Sequence, residues 1–122
     1  MQAKLKTMLK IYHNPRCKKS CEGLRFLQDK NIAHETVKYL EKGLSKSELQ
    51  EMILKLNCKV LDLLRTQEDY FKKELKNKNF TDNELIQIIT ENPKLLKRPI
   101  VVGKYKAVFA QPAEKIVILL TE

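Results

Sequence analysis

No apolar run in the 122 residues approaches the ~20 that a membrane-spanning helix needs. The first residues, Met1-Gln2-Ala3-Lys4-Leu5-Lys6-Thr7, lack the apolar stretch of a secretory signal, so a cytoplasmic protein is expected. Cysteine is scarce and odd in number: Cys17, Cys21 and Cys58 do not make a structural disulfide framework in a reducing compartment. Histidine is scarcer still, at two residues, and the cysteine spacing lacks the paired short intervals of a zinc site. No metal is therefore expected. Glycine and proline, at three and four residues, are too few for a fibrous or disordered chain, and no repeat, linker or low-complexity segment is present. Acidic residues are in deficit, 15 against 24 basic ones, which leaves a net charge of +9. That balance favours a small anionic substrate or another anionic partner, or it serves solubility alone, since the lysines are scattered. Without an aromatic-interleaved basic surface or a recognition motif, nucleic acid is not an expected partner.

What is present suits one α/β domain over residues 1–122, with residues 1–7 read as a frayed extension ahead of Met8. Met8 to Tyr12 alternates and stops at Asn14-Pro15, the pattern of a strand ended by a turn. From Cys17 to Asn31 the period becomes helical, with Cys21, Leu24 and Leu27 near one face. His34 to Tyr39 reads as a second strand. Ser45-Lys46-Ser47-Glu48 and Thr81-Asp82-Asn83-Glu84 are capping boxes, each opening an amphipathic helix. Short helical pieces are expected at 60–64 and around 70–75. Ile100-Val101-Val102 and Ala107-Val108-Phe109 flank Gly103 as a hairpin, and Pro112 opens a terminal helix. The order β-α-β, helices, β-β-α predicts a four-stranded mixed sheet flanked by helices, with a helical insert in mid-chain. In outline this is the thioredoxin-like arrangement.

Cys17 falls where the first strand gives way to the first helix. Free backbone amides and the positive end of the helix dipole there favour thiolate over thiol. Arg16, Lys18 and Lys19 add charge, and His13 lies four residues upstream in the same loop. A free cysteine is commonly a small buried hydrophobe, but a core cysteine does not usually sit in a turn among cations. Cys17 is therefore read as a nucleophile. Cys21, one turn on, is placed either to resolve an oxidised Cys17 or simply to pack beside Leu24. Cys58, with no evident charged cluster about it, is read as structural.

The loop His13-Asn14-Pro15-Arg16-Cys17, with Ser20 three residues on, resembles the active-site loop of glutaredoxin-coupled arsenate reductases. Leu63-Leu64-Arg65, Asn92-Pro93 and Arg98-Pro99-Ile100-Val101-Val102 match later motifs of that family, in order, over nearly the whole chain. The resemblance implies that Cys17 attacks the arsenic of arsenate and that His13 helps to keep the sulfur ionised. It implies that Arg65 and Arg98 hold the oxyanion through their planar forks, and that Pro99 is the cis-proline beside the reactive thiol. It further implies no bound cofactor, with glutathione as co-substrate and glutaredoxin as electron donor. The family pattern has a third arginine where this chain has Gln111, before Pro112. Glutamine donates a hydrogen bond but brings no charge, and a lost ionic hydrogen bond costs about 1.5–3 kcal/mol. The Spx regulators, which share the fold and bind RNA polymerase, resemble the chain in the Arg-Pro-Ile region. They use a Cys-X-X-Cys pair, however, and carry a longer tail. A non-catalytic member that only binds an anion is the remaining alternative.

Overall fold

Leu9–Tyr12 forms the first strand, β1, of the computed structural model, which describes residues 8–121 apart from the side chain of Thr121. The frayed extension expected of residues 1–7 lies outside the described residues. The chain sorts into two compact units, residues 8–38 with 98–121 and residues 39–97.

The first unit holds the sheet. β1 runs parallel to β2 (His34–Val37) and antiparallel to β3 (Ile100–Val102), which pairs antiparallel with β4 (Ala107–Phe109), giving the order β2-β1-β3-β4. The registers Ile11↔Val101 and Val101↔Val108 align three apolar side chains across one face. Successive strand residues point to opposite faces, so Leu9 and Ile11 share that face, where Leu27, Ala110, Ile116 and Leu119 complete a core. Leu27 comes from helix α1 (Lys18–Asp29); Ile116 and Leu119 come from the terminal helix Ala113–Thr121. That last segment is wound as a 3-10 helix rather than the expected α-helix. The four-stranded mixed sheet with flanking helices follows the predicted order.

The buried stripe of α1 is Ser20, Gly23 and Leu27, not the Cys21-Leu24-Leu27 face that apolar counting picks out. The physical reason is closeness: a Cβ on Gly23 would lie 3.2 Å from Pro99 Cγ and 3.4 Å from Ile11 Cδ1. A side chain there would make the Pro99 ring or the helix give by a few tenths of an ångström.

The second unit is helical. Both expected capping boxes close: Ser45 and Glu48 at the start of α3 (Lys46–Leu56), Thr81 and Glu84 at the start of α4 (Asp82–Glu91). Tyr39, expected in the second strand, instead opens a four-residue helix, α2 (Tyr39–Lys42), and is fully buried. Val60–Leu63 and Pro93–Leu95 are 3-10 turns, and Phe71–Leu75 is a single π-helical turn. α4 packs against α3 and both 3-10 turns. Leu64 bridges to Leu96, and Lys97 N–H donates to Leu63 carbonyl at 2.7 Å.

Candidate active site

The loop after β1 is tied down at nearly every residue. His13 N–H donates to Val37 carbonyl at 2.9 Å, extending the parallel ladder one residue past the strand. Asn14 carbonyl accepts from Cys17 N–H at 3.0 Å, and its side-chain oxygen accepts from Arg16 N–H at 3.0 Å. Ser20, fully buried, reaches back from α1: its hydroxyl oxygen accepts from Asn14 N–H at 2.9 Å and is hydrogen-bonded to His13 Nδ1 at 2.7 Å. Ser20 is thus the clasp between loop and helix. It is visible in the sequence only as part of a motif, because a serine in a helical period carries no local signal for burial.

Cys17 is the N-cap of α1, extended at φ −99° and ψ 120°, and half-buried. Its sulfur closes no cap hydrogen bond, so the amides act on it as oriented dipoles. Burial by itself pushes the thiol up. The Ser20 N–H, the Arg98 guanidinium acting as donor and as charge, and the Lys19 N–H together outweigh burial and hold the thiol below its ordinary range. The cation that acts on the sulfur is therefore Arg98. The side chains of Arg16, Lys18 and Lys19, which sequence position alone credits with this work, point into solvent.

Arg98 is delivered by the start of β3. The Arg98–Pro99 peptide bond is cis, the Pro99 ring lies against Gly23 of α1, and Pro99 carbonyl accepts from Ala110 N–H at 2.9 Å. The residue beside Pro99 is thereby set against the helix that begins at Cys17. Arg98 Nε is buried and without a hydrogen-bond partner. A buried unpaired N–H is costly, and this one is suited to an anion.

His13 is buried, and burial holds its pKa below the ordinary value; Ser20 opposes this shift and the Lys38 charge adds to it. Its Nδ1 is engaged by Ser20, the residue whose N–H also acts on the Cys17 sulfur. Cys21 Sγ donates to Pro15 carbonyl at 3.3 Å. Gln111 is exposed, its N–H donating to Phe109 carbonyl at 2.8 Å, and the bond joining it to Pro112 is cis.

Arg65 belongs to the second unit. Its N–H donates to Leu95 carbonyl at 2.7 Å, and its guanidinium is ion-paired with Glu68. Cys58, in the same unit, is pushed up by burial and by Asp62, with Lys97 opposing. Charges thus flank it after all. It lines a cavity of about 660 Å³ with Val60, Leu64, Phe71 and Leu85. Among the described residues, no group of three or more His, Cys, Asp or Glu is placed to hold a metal ion, and no helix is long and apolar enough to cross a membrane.

A β-α-β opening, a hairpin-helix close and a low-pKa thiol at the first helix N-terminus define a thioredoxin-like thiol protein. The model of the ArsC family matches residues 12–118, and the chain belongs to that family. It is similar to an arsenate reductase of Neisseria meningitidis serogroup A (39% identity over 110 residues, 88% of this chain and 94% of the relative). It is equally similar to the protein YfgD of Escherichia coli K12, at 40% identity over 88% of this chain and 92% of that one. The solved structure of an arsenate reductase from Vibrio cholerae superposes with a TM-score of 0.89 at 35% identity, covering 95% of this chain and all of that one.

Proposed function

We propose that the protein is a thiol-dependent arsenate reductase with Cys17 as its nucleophile. The support for this reading is the place of Cys17 as N-cap of α1, with the Arg98 guanidinium acting as donor and charge to its sulfur and the thiol lowered from its ordinary range. The thiolate attacks arsenic, an S–As bond forms, and one arsenate oxygen leaves as water. Arg98, with its unpartnered buried Nε–H, neutralises charge on the remaining oxygens in a setting where such donors act strongly. Gln111 contributes a neutral hydrogen bond. His13, through Ser20, positions the loop that carries the sulfur. Glutathione and glutaredoxin then supply the electrons that restore the thiol and sustain turnover, in the cytoplasm.

The reading is tested by consumption of NADPH on addition of arsenate, with glutathione, glutaredoxin and glutathione reductase present. Wild-type protein should give an arsenate-dependent rate and Cys17→Ser none. A rate that survives in Cys17→Ser overturns the assignment.

A further inference from the structure

Cys21 stands one helical turn beyond Cys17, its N–H donating to Cys17 carbonyl at 3.0 Å. Residues four apart on a helix have Cα atoms about 6 Å apart, within the span of a disulfide. In a regular helix the side-chain directions make such a bridge awkward. Cys17, however, is the N-cap, with an extended backbone, so its side chain is not bound to the helical direction. The Cys21 thiol donates to Pro15 carbonyl at 3.3 Å, which places its sulfur on the loop side of α1. Both thiols are free and half-buried. Cys21 is also absent from the fully buried stripe of its helix, which is Ser20, Gly23 and Leu27, so its thiol keeps part of its surface open.

We propose that Cys21 is a second redox thiol, making the chain a self-contained two-electron reductant whose product is a Cys17–Cys21 disulfide. The proposal rests on the reading of Cys17 as the nucleophile of arsenate. Once the Cys17–arsenic bond has formed, Cys21 loses its proton to solvent and attacks the Cys17 sulfur. The S–As bond breaks, and its electron pair passes to arsenic, which falls from the +5 to the +3 state as the S–S bond forms. In sum, hydrogen arsenate and two thiols give a disulfide, arsenite and water. Two sulfurs give up the two electrons that arsenic gains. The first turnover needs no outside reductant; later ones need a dithiol protein or glutathione to reopen the disulfide.

The test mixes reduced full-length protein, freed of small thiols, with arsenate alone. The expected result is about one arsenite per chain, loss of the Cys17 and Cys21 thiols, and a peptide pair joined between them in mass spectrometry. Cys21→Ser should form no arsenite here, with its Cys17 still alkylated at low pH to show that the fold is kept. Cys58→Ser should match wild type. If wild type makes arsenite only with glutathione and glutaredoxin, and Cys21→Ser does so at the same rate, the role of Cys21 is overturned and that of Cys17 stands. If no arsenite forms under either condition, the reading of Cys17 fails instead. Diamide oxidation then decides Cys21 separately: a Cys17–Cys21 bridge supports it, and any other product at Cys17 rejects it.

Discussion

At position 17 two opposing effects meet on one sulfur. Burial favours the neutral thiol, while the amides at the head of α1 and the Arg98 charge favour the anion, and the net effect lowers the thiol pKa. Arg98→Met should therefore move the midpoint of Cys17 alkylation to higher pH; an unmoved midpoint would leave the amides as the whole cause. The neighbouring imidazole has a different pH signature. The folded-state pKa of His13 lies below the ordinary 6.5, so the unfolded chain takes up this proton first as pH falls. Its contribution to stability is thus complete above about 6.5 and is lost as pH drops through the folded-state value. Urea unfolding between roughly pH 8 and pH 5 should show the loss, and His13→Gln should flatten it. Gln111 offers a third test at this scale. Gln111→Arg adds an ionic hydrogen bond of about 1.5–3 kcal/mol, so KM for arsenate should fall roughly tenfold to a hundredfold. A KM unchanged in initial-rate measurements would remove this position from oxyanion binding.

Elements with strong local signals form where those signals place them. Ser45-X-X-Glu48 and Thr81-X-X-Glu84 close as boxes because the reciprocal hydrogen bonds are satisfied within four residues and need no distant partner. Thr81→Ala should accordingly cost about 1 kcal/mol in urea unfolding. Elements whose conformation is set from outside are less legible. Tyr39 has strand propensity yet starts a short helix, since its full burial overrides the local preference. The stripe of α1 shifts by one residue for the same kind of reason, the near contact of Gly23 with Pro99. That contact makes a sharp prediction. Gly23→Val forces branched bulk between helix and proline, which should cost about 1–3 kcal/mol. Because Arg98 adjoins Pro99, the Cys17 thiol pKa should also rise in this variant. A stable Gly23→Val protein with an unchanged thiol would separate the helix contact from the site.

For the molecule as a whole, a net charge of +9 on scattered lysines creates a broad attractive field for oxyanions. Exposed charges are screened beyond about 10 Å at 0.1 M salt. KM for arsenate should thus rise severalfold between roughly 50 and 500 mM salt with kcat nearly constant; a flat KM would confine capture to the site itself. The order of elements, the two capped helices and the place of Cys17 at the head of a helix were all legible in the chain itself, because each follows from contacts within one helical turn or from strand period. What folding alone decided is which charges count. Arg98, 81 residues after Cys17 in the sequence, acts on the sulfur, whereas its sequence neighbours Lys18 and Lys19 face water. Electrostatic work depends on distance and dielectric in space, and neither can be read from separation along a chain.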